Sequence, residues 1–513
     1  PLEMLDEERL HRALTVEVTA GALHVVIPPL DWPAFEELVL LIEHSATELG
    51  ISDLVLCGYR PPAHPGVSSL GLTPDPGVLE VNLPPTRSWT DYDQLLRTVT
   101  ELAAEQGLRT SRLNFNGQVQ GTGGGAHVLF GGPSLDANPF FARPDLLASI
   151  VRYWQSHPSL SYFFTGQYVG PGSQAPRADE SAGSRLYELE TACLGADTLD
   201  GEVDRDMLDR LFLNLLADPA GNTHRTELCL DKFWNLGAPG GEQGLIELRA
   251  FETMADVGDQ SLGALFVRAI VAMLAKSPRK GPLQRHGALL HDAYMLPSWL
   301  SHDLGQICAE LQELGLPFER KWLQSAFEFR FPVLGWLESE PGPVLLRQAL
   351  EPWPALAAET HDGSSSRFVD NSTDRIELSM PLGASNRVTV NGVQLTFREL
   401  EGRAVAAVRY KCAGGWPALH PHVGAQVPLR FESLDARNEV VASARYYFWN
   451  PDAKDYDGRP SDSAEAKERA RARWVEQPGE LGQVRSPIPG SYCEESAWTL
   501  DLRRHWDAGA GAT

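Results

Sequence analysis

The residue pattern changes near position 365, where Gly363-Ser364-Ser365-Ser366 ends a helix-rich stretch and short alternating strands take over. Before that point apolar residues recur at helical spacing over 32–48, 90–106, 143–164, 207–216, 261–275 and 299–314. After it they alternate over 387–390, 394–397, 404–410, 427–431 and 440–448. A helix buries one stripe with a 3.6-residue period and a strand buries alternate residues, so the two halves need different packing. The break therefore predicts an α+β chain with a helix-rich domain over 1–365, a β-sandwich-like module over 366–460, and a charged helix and tail over 461–513. Strands are also expected inside the first part. Residues 22–28 and 53–57 flank the first helix in a β-α-β rhythm, a short strand follows the turn at 72–77, and 244–252 and 327–331 alternate. Residues 114–130 read as a glycine-tipped hairpin.

Composition removes several function classes. A formal net charge of −24 argues against nucleic acid or an anionic membrane surface as partner. The six cysteines show no C-x-x-C spacing, which argues against a disulfide scaffold and a thiolate zinc site and fits a reducing cytoplasm. No run approaches the roughly 18 consecutive apolar residues of a membrane span, and the opening Pro-Leu-Glu-Met is not a signal sequence. The first residue is not Met, which suggests a fragment of a longer polypeptide.

Four segments carry chemistry. Gly121 to Phe130 reads G-T-G-G-G-A-H-V-L-F, and the backbone N–H groups of Gly123, Gly124 and Gly125 suit an anion-binding concavity beside His127. The plainer alternative is a glycine-rich turn feeding a core strand, with His127 hydrogen-bonded inside. Glu80 and Asn82 share one face of their strand. The polar loop 170–180, which holds Arg177, and the segment G-N-T-H-R-T-E with Arg225 precede G-L-I-E-L-R-A-F-E, where Glu247 and Arg249 alternate with apolar residues. Carboxylates with a histidine suit Mg²⁺ or Mn²⁺, and arginine forks grip phosphoryl oxygens. Equally, Glu80 and Glu247 can be solvated strand residues, with Arg249 pairing Glu247 or Glu252 across a sheet. His420-Pro421-His422 has no third ligand, and Cys57, Cys193 and Cys229 lack the small-residue elbow of a nucleophile.

The order of these segments resembles the carboxylate-amine ligases of the glutamine synthetase and glutamate-cysteine ligase superfamily. L-T-P-D-P-G-V-L-E-V-N, T-G-G-G-A-H-V, S-Q-A-P-R-A-D-E, G-N-T-H-R-T-E and I-E-L-R-A-F-E resemble more closely the bacterial domain of unknown function family 2126, over about 23–456. The resemblance implies a curved antiparallel sheet with flanking helices, a glutamine synthetase-like cup holding ATP and Mg²⁺. It implies an acyl-phosphate made from a carboxylate and attacked by an amine, giving an amide or peptide bond. The implied metal ligands are Glu80, Glu247 and His127. The implied nucleotide-binding groups are Gly123, Gly124, Gly125, His127, Arg177, Arg225 and Arg249, with Arg225 and Arg249 acting on the transferring phosphoryl group. Such ligases carry an E-x-E strand, whereas the candidate strand here is V-L-C-G-Y-R over 55–60. Asp75, or Glu188 and Glu190, would replace the missing ligand; Glu188 and Glu190 share a face on a strand and diverge on a helix. The implied partners are small-molecule or peptide carboxylates and amines, and a transglutaminase-like domain in cis or in trans. The alternative is a catalytically inactive ligase-fold module that binds peptides for that domain.

Overall fold

The computed structural model describes residues 13–506 apart from 20, 63, 65, 68, 76, 167, 181–184, 200–202, 238–239, 339–341, 362–363, 384–386 and 415–417. Gly363, at the expected boundary, thus lies outside the described residues. The fold is α+β, with several small open sheets. It divides into two compact units, Pro1–Pro85 and Thr86–Thr513.

In the first unit β1 (Thr15–Thr19) pairs antiparallel with β2 (Ala22–Ile27), and β2 pairs parallel with β3 (Leu54–Gly58). Parallel neighbours need a crossover, and the helix Trp32–Leu49 supplies it. Asp31 caps that helix by accepting the Ala34 N–H at 3.1 Å, and Gly50 ends it in the left-handed region at φ 65°. A hairpin of β4 (Gly71–Asp75) and β5 (Val78–Asn82) sets Glu80 opposite Thr73.

The second unit opens with the helix Trp89–Glu105 and a hairpin of β6 (Ser111–Leu113) and β7 (Val119–Gly121). Next, β8 (Val128–Phe130), β9 (Leu228–Cys229) and β10 (Ile246–Leu248) form an antiparallel sheet with β10 in the middle. The expected hairpin over 114–130 is thereby corrected: the turn is at Gly117, and the glycines 123–125 connect two different sheets. Gly117 has a physical reason to be there, since at φ 85° a Cβ would fall 2.2 Å from the Ala466 carbonyl of the helix Ser463–Ala472.

Around these strands lie the helices Pro144–Ser156, Arg185–Asp197, Arg205–Phe212, Val257–Lys276 and Pro297–Glu313. Trp154, Phe163, Phe212, Phe233, Phe266 and Ile270 are fully buried in the core they share. Val257–Lys276 is long and apolar enough to cross a membrane by length and composition, but Phe266, Val267 and Ile270 place it in that core. The expected strand at 327–331 is helical, Gln324–Arg330; Phe327 and Phe331, four apart, meet edge to face at 5.2 Å, a contact that helical spacing creates.

Two six-stranded sheets follow. One is built from β11 (Val333–Leu337), β12 (Val344–Gln348), β15 (Thr373–Pro381) and β19 (Arg403–Lys411), with β18 (Arg398–Leu400) and β24 (Thr499–Asp501) pairing β19. The other is built from β16 (Arg387–Val390), β17 (Val393–Gln394), β20 (Leu429–Leu434), β21 (Val440–Tyr446), β22 (Trp474–Glu476) and β23 (Ile488–Pro489). Their strands reach from Val333 to Asp501, beyond both ends of 366–460. The sheets share a core of Leu346, Ile376, Val408, Val390, Phe431 and Ala444. On β19, Ala404, Ala406, Val408 and Tyr410 face that core, while Val405 and Ala407 join Leu296 and Ala349 in another, so both faces are buried. A separate hairpin pairs β13 (Ala355–His361) with β14 (Ser364–Val369).

Candidate active site

β10 places Glu247 at the centre of its sheet, 3% exposed. His127 Nδ1 lies 2.9 Å from its Oε1, Arg249 Nη1 2.9 Å from the same oxygen, and Lys232 Nζ 3.2 Å from Oε2. Burial alone would raise the Glu247 pKa, but the His127 hydrogen bond and the Arg249 and Lys232 charges outweigh it and hold the carboxyl well below the usual range. The sequence motifs at 121–130 and 244–252 therefore do meet.

The glycines serve neighbouring side chains of their own chain. A Cβ on Gly125 would fall 1.9 Å from His127 Nε2, because the ring folds back over that residue. A Cβ on Gly121 would fall 2.8 Å from Glu252 Oε1, and one on Gly166 would overlap Oε2 at 1.5 Å. The Gly123 N–H donates to Glu252 Oε1 at 2.8 Å and the Gly124 N–H to Thr122 Oγ1 at 3.3 Å. The expected anion concavity thus holds a protein carboxylate at Gly123. Burial raises the Glu252 pKa, partly opposed by Arg330 and that N–H.

Beside this loop is a cleft of about 260 Å³ lined by Gly123, Tyr168, Ser173, Arg225, Glu252 and Arg367. Arg225 donates to the Ser173 carbonyl at 3.0 Å and lies 3.9 Å from Asp218. Its pKa is lowered, by burial first and then by the positive charges of Arg367 and Arg249. Arg225 and Arg367 both line the cleft and both face Asp218 Oδ2. Glu252, Lys232 and Arg367 were not among the residues expected here; Glu252 closes the I-E-L-R-A-F-E motif and was the one of the three that the sequence signalled.

Other expected residues are placed differently. Arg177 is fully buried and all its donors are used: Asp179 takes Nε and one Nη2 bond at 2.9 Å each, the carbonyls of Trp154 and Gln155 lie at 3.2 and 2.8 Å, and Ser161 at 3.4 Å. It holds the 170–180 loop to the helix Pro144–Ser156 and has nothing left for a nucleotide. Glu188 and Glu190 lie on the helix Arg185–Asp197, where residues two apart diverge, and Glu190 pairs with Arg285 at 2.6 Å. They do not make a two-carboxylate site. Glu80 belongs to the other compact unit, on β5.

The described donors fit one part of the implied cofactor better than the other. The arginines suit phosphate oxygens. Glu247 does not suit a dication as it stands, because both its oxygens already face cationic or N–H donors. Among the described residues one His/Cys/Asp group, His224, Cys229 and Asp231, has ligand atoms within 4.8 Å of one another. Burial pushes the Cys229 thiol up to about 12, so it keeps its proton at neutral pH in the metal-free chain.

Comparison with curated proteins and with solved structures gives no match. The family model described as "Putative amidoligase enzyme (DUF2126)" matches residues 3–503, and the chain belongs to that family.

Proposed function

We propose that the chain joins a carboxylate to an amine in an amide or peptide bond, activating the carboxylate with ATP. The single observation that supports it is the meeting of His127, from the glycine-rich motif, with Glu247 and Arg249, from a motif far along the sequence, in a chain of the amidoligase family. In the reaction a carboxylate oxygen attacks the γ-phosphorus and ADP leaves. The amine nitrogen then attacks the acyl carbon, phosphate leaves, and the amine gives up a proton. Arg225 and Arg249 offset charge on the transferring phosphoryl group, and burial makes each worth more than in water. Lys232 and His127 hold Glu247, which fixes the Arg249 fork. Mg²⁺, when bound with the nucleotide, neutralises phosphate charge; no step is assigned to a protein-bound ion. On this reading the β8–β10–β9 sheet is part of a glutamine synthetase-like cup, and a fused or partner transglutaminase-like domain works on the same class of bond in the cytoplasm.

A specific observation favours the second reading, a peptide-binding module without chemistry: β3, L-V-L-C-G, carries no carboxylate, and Glu247 is already paired to bases. The test is ADP release with ATP, Mg²⁺ and panels of carboxylates and amines. Release that needs both substrates, and that Arg225→Gln abolishes, supports the ligase. Peptide binding with no ADP release from any pair leaves the module.

A further inference from the structure

The segment 222–232 ends on Lys232, which faces Glu247, and runs through β9, whose Cys229 lies directly opposite Glu247 in the sheet. Residues directly opposite in an antiparallel pair project to one face, so Cys229 shares a face with Glu247. Asp231, two residues on, comes back to Cys229 just past the end of the strand. The chain before β9 folds over both. The Asn222 side chain accepts the His224 N–H at 2.9 Å, Thr223 Oγ1 donates to Asp231 Oδ1 at 2.7 Å, and His224 Nδ1 lies 3.1 Å from Asp231 Oδ2.

An imidazole, a thiol and a carboxylate are thereby gathered with their ligand atoms all within 4.8 Å. The lack of C-x-x-C spacing does not bear on such a mixed set, and each of the three is a ligand that Zn²⁺ takes. Ligands bound to one tetrahedral Zn²⁺ lie roughly 3.3–3.6 Å apart. His224 and Asp231 meet that spacing within a few tenths of an ångström, and the sulfur is at most roughly 1 Å too far. His224 has the freedom to close the gap, because its side chain is 56% exposed, whereas Cys229 is buried and Thr223 steadies Asp231. The nearby cations Lys232 and Arg249 face Glu247, while Asp209 adds a second carboxylate close enough to act on Asp231.

We propose that His224, Cys229 and Asp231 form a Zn²⁺ site with one coordination place left to solvent, and that the ion pins the segment that carries Lys232 to Glu247. On binding, the thiol passes its proton to solvent and the sulfur coordinates as thiolate. The inference does not rest on the ligase reading.

The test is titration of the intact chain, stripped with EDTA and freed of it, with Co²⁺ as a spectroscopic stand-in, followed by displacement with Zn²⁺. Wild type should bind one Co²⁺ and show a thiolate-to-cobalt charge-transfer band in the near ultraviolet, which Zn²⁺ removes and excess Mg²⁺ does not. His224→Gln takes away an exposed ligand and can still donate to Asp231. It should weaken Zn²⁺ binding at least about tenfold with little change in the metal-free melting temperature. Cys229→Ser should lose the charge-transfer band; if it does not fold, His224→Gln carries the test. Zn²⁺ should also raise the melting temperature of wild type by ligand linkage and leave that of His224→Gln nearly unchanged. No charge-transfer band in wild type, a band that persists in Cys229→Ser, or Zn²⁺ affinity unchanged in His224→Gln overturns the site. A wild-type melting temperature that Zn²⁺ does not raise overturns the pinning.

Discussion

Glu247→Gln is close to isosteric, so it changes charge without opening a cavity. In wild type the carboxylate meets His127 and Arg249 at 2.9 Å and Lys232 at 3.2 Å. Hydrogen bonds to a charged group contribute about 1.5–3 kcal/mol, and neutral ones about 1 kcal/mol. Each contact therefore weakens by roughly 1 kcal/mol, and the variant should lose about 3 kcal/mol of stability. Lys232, 36% exposed, can turn to water, but Arg249 at 9% cannot, so most of the loss should sit on Arg249. The assay is urea unfolding with the slope checked for constancy. The pH dependence gives a second reading. A carboxyl whose folded pKa is depressed contributes stability above its unfolded pKa and loses it as pH falls toward the folded value. The gap between wild type and variant should thus be steady from pH 7 to about 5 and shrink below about 4.5. A loss under about 1 kcal/mol, or a gap that does not shrink in acid, would refute the three-partner account.

Gly125→Ala puts a methyl 1.9 Å from His127 Nε2, so the ring must leave Glu247; we expect a loss of about 1–3 kcal/mol, and a His127→Ala background should relieve most of it. Arg177→Met leaves Asp179 and Glu227 buried without their cation, and thermal unfolding should show a loss of about 3–5 kcal/mol. Glu377, buried against Ser298 and pushed up to about 7, holds its proton more tightly when folded, so it contributes stability below its ordinary pKa that is lost as pH rises toward 7. Glu377→Gln should remove up to roughly 3 kcal/mol of that pH dependence, measured by urea unfolding at pH 4.5 and 7.5.

The elements were legible where one rule decided them. The helix at 32–49 shows its cap, its proline and its closing glycine in the sequence, and the apolar run over 404–408 reads as a strand buried on both faces. Phe327 to Phe331 failed because phenylalanines at every second position also fall four apart, and tertiary packing chose the helix. The pairing of Glu247 with Arg249 was readable because a strand puts residues two apart on one face. Arg177 was misread because sequence does not report burial, and an arginine with Asp two residues on looks the same in a loop or a clamp. Arg367 was beyond reach: 149 residues separate it from Asp218, and only the hairpin's seating joins them.

β19 is laminated on both sides, with one row of side chains in each of two apolar layers. Such a strand has no face it can show to water. A shortened version of this chain that starts at Val333 would strip Leu296 and Trp299 from the layer over Val405 and Ala407, so the two sheets are tied to the helices by oily lamination and not by a removable tether.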